Sequence, residues 1–527
     1  MPDRKRIYSE VADAVARRWR QVEYNGCAKR KKFDESSPNP SIESNNLDSN
    51  LQVIDLTSDS DDKEEMLPDE TLGGEKYSFK LIKSEYYDLN LPENIRSSSD
   101  FISLKDIFGN SNLESTVLFS YQFNLDFLLD QFHPSIKSIT MVAQKGTINP
   151  VSPESFHLFP ILDKCKIIDI YMPPYTSHHS KMILNFYRDK SVKIFIPSNN
   201  FTHHETNLPQ QICWCSPSLY QGKTGSVLFQ ENLLSYLKSY EDKTLNTTIY
   251  YELLQLNFES LKDVDFVYSC PSKENASSGL KLLVELLSKH DNDKSGHYLC
   301  QTSTIGGPLN KSQNSNIFTH LMIPALSNMF GMSNSSRLTI PTTEQVLQFN
   351  KNNNIKPYIL YPTVKELQNC PMGWLPSGWF HFNYDRIPMY YETLKEKFDI
   401  FYKQDAESIS IQRRATPSHS KFYMKSSTET FTELDWCLYT SANLSMSAWG
   451  KITTKPRNYE VGVLFTGKDR LIRCTSFIDL IYKRTDGQSD VVVPFTLKLQ
   501  KYEADDEAFC MSKDYGLLDI NGRLYER

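Results

Sequence analysis

Two short motifs recur in this 527-residue chain, and together they supply the side chains a phosphate needs. The first is His179-Ser180-Lys181, followed by Ser198-Asn199-Asn200. The second is His419-Ser420-Lys421, followed by Ser441-Ala442-Asn443. Each reads H-x-K and then S-x-N, with 19 and 22 residues from lysine to asparagine. Lysines and asparagines can hold non-bridging oxygens and stabilise charge that develops in the transition state. One neutral imidazole can attack phosphorus; the other can protonate the leaving oxygen and then deprotonate water. A single H-x-K says little, because such tripeptides arise by chance. Duplication with a matched second element implies two half-sites facing one phosphodiester.

We expect neither metal nor cofactor. Two-metal phosphodiesterases need clustered carboxylate and histidine ligands. Around the motifs only Glu205 and Glu460 stand suggestively near, and the lysines would repel a divalent ion.

Positioning these groups needs strands. Residues i and i+2 of a strand share a face, so His179 and Lys181 can reach one ligand while His178 points away. His419 and Lys421 are related in the same way. Lys166 to Tyr171, Val192 to Ile196, Tyr358 to Tyr361, Asp435 to Thr440 and Glu460 to Phe465 read as strands, β-branched or aromatic and bounded by turn residues. Phe123 to Leu129 and Leu280 to Leu287 read as helices. Helices alternating with strands around two equivalent motifs predict an α/β fold of two similar domains. We place a tail at 1–74 and the domains at 75–260 and 261–527. The Asn/Ser-rich stretches 310–316 and 350–354 read as surface insertions.

The composition, 39% hydrophobic and 23% charged, is that of a soluble globular protein. No apolar run approaches the ~18 residues of a membrane span, so no membrane partner is expected. The first 20 residues lack the apolar core of a signal peptide and suit a basic amphipathic helix. Ten scattered cysteines show no disulfide framework, and the close pair Cys213 and Cys215 reads as packed thiols. Asn200-Phe201-Thr202 and Asn443-Leu444-Ser445 are glycosylation sequons inside the proposed site, which favours an intracellular protein. Net charge is −6, and residues 1–74, with 11 basic and 16 acidic side chains, hold −5 of it. The remainder is nearly neutral, so nucleic-acid binding would need a local groove.

The tail is polar and reads as disordered. It carries the basic cluster Lys29-Arg30-Lys31-Lys32, a nuclear-import pattern. Val53-Ile54-Asp55-Leu56 then precedes an acidic run ending at Asp62. A short apolar strand beside acids can add to a partner's sheet edge, and the pattern resembles a SUMO-interacting motif.

The paired motifs resemble the phospholipase D superfamily. That superfamily places an aspartate five residues after each lysine; here those positions hold Phe186 and Ser426. The departure, with asparagine closing each motif, resembles the tyrosyl-DNA phosphodiesterase branch. Tyr121-Gln122-Phe123-Asn124, the segments from Ser177 to Met182 and Thr440 to Gly450, and Tyr459 to Phe465 carry the likeness over roughly residues 80–500. It implies two α-β-α sandwich domains related by a pseudo-two-fold, with the active site at their interface. It implies hydrolysis of the bond between a DNA 3′-phosphate and the tyrosine of a stalled type IB topoisomerase. His179 would be the nucleophile and His419 the general acid, then the base. Lys181, Lys421, Asn200 and Asn443 would bind phosphate; Gln211 and Glu460 would orient the histidines. Tyr175 would stack on a base, and Ser303, Thr304 and Ser445 would contact the DNA backbone. DNA with a 3′-phosphotyrosyl end and the attached peptide are the implied partners of a nuclear, monomeric enzyme.

Two other readings compete. A lipid phosphodiesterase of the same superfamily would keep the aspartates and add a membrane-targeting module. A non-catalytic repair scaffold would not need both motifs intact. The tail reading is tested separately: replacing Val53, Ile54 and Leu56 by alanine is expected to abolish SUMO binding measured by calorimetry.

Overall fold

The computed structural model describes residues 76–525, apart from 89–90, 92, 223–224, 273–276, 291–292, 330–339, 405–414, 468–469 and 478–488. The amphipathic N-terminus, the cluster at Lys29 and the segment from Val53 to Asp62 lie outside the described residues. Residues 75–527 form one compact unit.

Two eight-stranded sheets organise it. The first contains β1 (Ser78–Ile82), β2 (Phe101–Ile102), β3 (Leu113–Ser120), β4 (Ser138–Gln144), β5 (Cys165–Ile170), β6 (Met182–Tyr187), β7 (Val192–Pro197) and β8 (Ile212–Cys215). The second contains β9 (Val264–Ser269), β10 (Gly296–Gln301), β11 (Ile355–Leu360), β12 (Phe401–Gln404), β13 (Phe422–Ser426), β14 (Trp436–Thr440), β15 (Glu460–Thr466) and β16 (Leu499–Lys501). Their orders are β2-β1-β8-β7-β6-β3-β4-β5 and β9-β15-β14-β13-β10-β11-β12-β16. Without the outer β2 and β16, both follow one plan: first, seventh, sixth, fifth, second, third, fourth strand of each half. Directions match as well. The second, third and fourth strands run parallel, and the other pairings are antiparallel. The fold is α/β, with mixed sheets.

The helices include α1 (His203–Asn207), α2 (Leu228–Lys238), α3 (Leu280–Leu287), α4 (Thr343–Asn352) and α5 (Met446–Trp449). In α2, Phe229, Leu233, Tyr236 and Leu237 are buried at helical spacing. The same rule places α3 over the residues expected from sequence. Around Phe123 the outcome is divided. Phe123–Asn124 pairs with Ile148–Asn149, and the Asn124 side chain then caps a helix over Leu125–Leu129 by accepting from Phe127 N. Asparagine serves as a cap because its side-chain oxygen satisfies an orphan N–H.

The Asn-rich stretches are not simple surface insertions. Asn316 is fully buried and donates to the Tyr390 hydroxyl at 2.6 Å. Asn350 is a buried residue of α4.

One apolar cluster runs through both sheets. The Phe79 ring meets Phe422, Tyr439 and Phe465 at centroid distances of 5.6–6.3 Å. The Tyr439 hydroxyl shares its one proton between the Ile196 and Ile212 carbonyls of the first sheet, at 2.9 and 3.2 Å. Gly462 on β15 sits close against β14. A Cβ there would stand 2.4 Å from the Tyr439 carbonyl oxygen and 2.7 Å from Thr440 Cβ. Gly462→Ala is therefore expected to cost about 1–3 kcal/mol, measured by urea unfolding.

Candidate active site

Neither H-x-K motif lies within a strand. Each occupies the extended run just before one, with β6 starting at Met182 and β13 at Phe422. Long-range backbone pairing holds these runs extended. His179 N donates to Tyr459 O at 2.9 Å, and Tyr459 N donates to Ser177 O at 3.1 Å. His419 N donates to Gln210 O at 3.0 Å, and Gln210 N donates to Pro417 O at 3.1 Å. Glu460 follows Tyr459, and Gln211 follows Gln210. Each histidine thus receives its orienting residue from the opposite half of the chain.

On the first side, His179 Nδ1 lies 2.8 Å from Glu460 Oε2. The same oxygen accepts from Ser441 Oγ at 2.6 Å, and Oε1 accepts from Asn458 Nδ2 at 3.1 Å. The carboxylate is buried but well supplied with donors, and the His179 imidazole holds its pKa below the usual carboxylate value despite burial. A carboxylate beside Nδ1 accepts a hydrogen bond from the ring N–H, which keeps the proton on Nδ1 and leaves the Nε2 lone pair available.

On the second side the partners stand farther off. Gln211 Nε2 is 3.4 Å from His419 Nδ1, and Glu205 Oε1 is 3.5 Å from it. Gln211 is fixed at both ends of its amide: Oε1 accepts from Ser198 Oγ at 2.5 Å, and Nε2 donates to the Glu205 carbonyl at 2.8 Å. The Glu205 side chain was not assigned an orienting role by sequence reasoning. Its signal is local: it sits three residues after the cap Thr202 at the start of α1. Asn200 grips it with both N and Nδ2, at 2.7 and 2.9 Å.

The S-x-N elements have a divided job. In both copies the serine holds the orienting side chain, Ser198 on Gln211 and Ser441 on Glu460. Asn200 Oδ1 accepts from Ser120 Oγ and Tyr121 N. Asn443 Oδ1 accepts from Thr302 Oγ1 and Ser303 Oγ, both at 3.1 Å. Anchored by its oxygen, an amide holds its N–H groups in a fixed direction; at Asn200 one is spent on Glu205, and the second suits binding a phosphate oxygen. The residue two beyond each asparagine caps a helix: Thr202 caps α1 and Ser445 caps α5. The sequon pattern is therefore an asparagine beside a helix cap.

Lys181 and Lys421 are buried, and each Nζ donates to the carbonyl of its own motif histidine. Burial lowers the pKa of both, and the Lys181 charge pushes Lys421 down further. Burial also lowers both imidazoles; nearby Glu460 opposes this at His179, while Lys421 and Lys181 add to it at His419. The site is poised to receive negative charge.

The expected DNA contacts are placed variously. Tyr175 is 91% exposed, in the left-handed region at φ 62°, and its carbonyl accepts from the hydroxyl of Ser447 in α5 at 3.4 Å. Ser303 is fully buried, with its hydroxyl on Asn443. Thr304 pairs with His381, and the Ser445 hydroxyl is spent on its cap. Cys213 and Cys215 are buried with sulfurs 4.0 Å apart. Among the described residues, no group of three His, Cys, Asp or Glu could hold a metal ion. Among them, too, no helix is long and apolar enough to cross a membrane.

The family model described as tyrosyl-DNA phosphodiesterase matches residues 80–503. The chain belongs to the tyrosyl-DNA phosphodiesterase family. It is 42% identical to tyrosyl-DNA phosphodiesterase 1 of Saccharomyces cerevisiae, over 97% of each chain. It is 25% identical to tyrosyl-DNA phosphodiesterase 1 of Drosophila melanogaster, over 78% of this chain and 70% of that one. A crystal structure of the yeast tyrosyl-DNA phosphodiesterase superposes with a TM-score of 0.75 and 46% identity, covering 82% of this chain and all of the other. As a member of this family, the chain is a phosphodiesterase.

An anion between the lysines raises the depressed pKa values of His419, Lys421 and Lys181. The bound state then holds more protons than the free one, so affinity must fall as pH rises. Calorimetry with tungstate in buffers of different ionisation enthalpy is expected to show proton uptake. Heats independent of buffer would contradict the electrostatic account.

Proposed function

We propose that this phosphodiesterase acts in DNA repair, cleaving the bond between a DNA 3′-phosphate and the tyrosine of a stalled type IB topoisomerase. The observation that carries the reading is the pair His179–Glu460: a buried carboxylate 2.8 Å from Nδ1 favours the tautomer with its proton there, which leaves Nε2 unprotonated. His179 Nε2 attacks phosphorus, and the bond to the tyrosine oxygen breaks. His419, as imidazolium, gives its Nε2 proton to that oxygen. A water then loses a proton to His419 and attacks phosphorus, and the phosphohistidine bond breaks to release a 3′-phosphate. Lys181, Lys421, Asn200 and Asn443 hold the phosphate oxygens throughout. Positive charge buried beside the developing oxyanion is worth more than in water.

The two-sided difference in orientation supports the two roles. A close carboxylate suits a nucleophile that must keep one tautomer. His419, with longer contacts and a lower proton affinity, suits a shuttle that must lose its proton readily. The amide Gln211 and the clamped Glu205 serve where the lipid-acting relatives would place an aspartate. The reading extends to a division into domains 75–260 and 261–527, supported by their common strand order. It includes Tyr175 as a base platform at a DNA end, single-stranded or duplex, with Thr304, Ser303 and Ser445 shaping the backbone path. The topoisomerase peptide lies on the leaving-group side. A monomer in the nucleus, with the tail segment at Val53 docking SUMO, completes it.

A 3′-phosphotyrosyl oligonucleotide tests this directly. With excess EDTA the protein is expected to release tyrosine at an undiminished rate. His179→Ala should abolish turnover. His419→Gln should slow turnover roughly 10²–10⁴-fold and let a covalent enzyme–DNA species accumulate, visible on a denaturing gel. Strict dependence on a divalent metal would falsify the mechanism.

A further inference from the structure

His178, beside the nucleophile, is expected from sequence to point away from the phosphate, and it does, into a buried polar chain. His178 Nε2 lies 2.8 Å from the Tyr240 hydroxyl. The Tyr240 and Tyr236 hydroxyls are 2.5 Å apart, and Tyr236 donates to Ser180 Oγ at 2.7 Å. His178, Ser180, Tyr236 and Tyr240 are all buried. Tyr236 is on α2 and Tyr240 lies just beyond its end. The chain therefore ties that helix to the residues on both sides of His179.

Proton counting gives the chain a direction. A phenol has one proton to donate. Tyr236 spends its own on Ser180, so it accepts from Tyr240. Tyr240 must then accept from His178, which carries its proton on Nε2. Burial pushes the His178 imidazole down to about 3 and both phenols well up. The four groups stay neutral across the working pH range, so the brace does not change as the active site titrates.

Tyr240 also supports the other member of the pair. Its ring stacks on Tyr459, with centroids 4.6 Å apart and planes at 16°. Tyr459 immediately precedes Glu460, accepts from His179 N through its carbonyl, and donates its hydroxyl to the Ser239 carbonyl. One side chain thus bears on the extended run of the nucleophile through its hydroxyl and on the residue before the carboxylate through its ring.

The second half has a different brace at the matching place. Gln301 Oε1 accepts from Ser420 Oγ at 2.8 Å, and Gln301 Nε2 donates to Ser418 O at 3.1 Å. One amide there spans the residues on both sides of His419. The difference parallels the looser orientation of that histidine.

We propose that Tyr240, with Tyr236, is a positioning residue that sets the His179–Glu460 pair for nucleophilic attack. Tyr240 touches neither the phosphate nor the reacting atoms. The proposal rests on His179 being the nucleophile.

The test uses the full chain with Tyr240→Phe, which keeps the ring stack and removes the hydroxyl, and Tyr240→Leu, which removes both. A small misplacement of a reacting group costs on the order of 10–100-fold in rate. Tyr240→Phe is expected to lower kcat roughly tenfold on the phosphotyrosyl oligonucleotide, within that range, with KM within about twofold. Tyr240→Leu should lower it further. In a Glu460→Gln background the Tyr240→Phe effect should largely vanish, because both act through the same imidazole. The His179 ring titration, followed by nuclear magnetic resonance, should shift in Tyr240→Phe. Wild-type kcat and an unmoved His179 titration in that variant overturn the proposal, as does an undiminished effect in the Glu460→Gln background. If the wild-type chain fails to cleave the oligonucleotide, the functional reading falls, while the titration still decides the positioning claim. If Tyr240→Leu does not fold, the near-isosteric Tyr240→Phe carries the test alone.

Discussion

Two short backbone pairings, His178 with Tyr459 and Ser418 with Gln210, hold the site together. Each joins a histidine run from one half to the segment that enters the seventh strand of the other. Everything chemical depends on them. Without the first, Glu460 has no reason to face His179; without the second, Gln211 has none to face His419. Backbone hydrogen bonds suit this role because they set register as well as proximity, and a slip of one residue would turn each orienting side chain to the opposite face.

Around these pairings the site concentrates cationic groups at a cost. Two lysines and two imidazoles are removed from water, with Glu205 and Glu460 as the near carboxylates. Burying charge is expensive unless it is paired and hydrogen-bonded. Here part of the cost is met by depressed proton affinities rather than by full pairing. The substrate phosphate supplies the missing negative charge. On the proposed reading, binding and protonation are then one event, which would place the acid on His419 only when there is a leaving group to receive it.

The repeated H-x-K and S-x-N sets, the strand pattern around them and the opposed direction of His178 were readable from residue spacing, because period and motif are local properties. Glu460 was reachable through likeness to a known branch. Glu205 was not assigned, since its orienting role depends on two donors of Asn200 that meet it only once α1 has begun. The work of Ser198 and Ser441 was equally hidden: each hydroxyl reaches a residue 13 or 19 positions away across a strand pair. Asn316 shows the opposite failure. A polar residue paired in the interior has the same letter as one in water, so composition alone placed it outside.

The common strand order has a consequence for how the two histidines came to differ. In an assembly of two identical halves, strict symmetry would force the same orienting residue onto both sides. Each change that helped one imidazole would be copied at the other. Joining the halves in one polypeptide removes that bond between them. One copy could keep a close carboxylate while the other took an amide and a clamped acid, and one could be braced by tyrosines while the other used Gln301. Covalent linkage is what allows a twofold architecture to give its two histidines different surroundings.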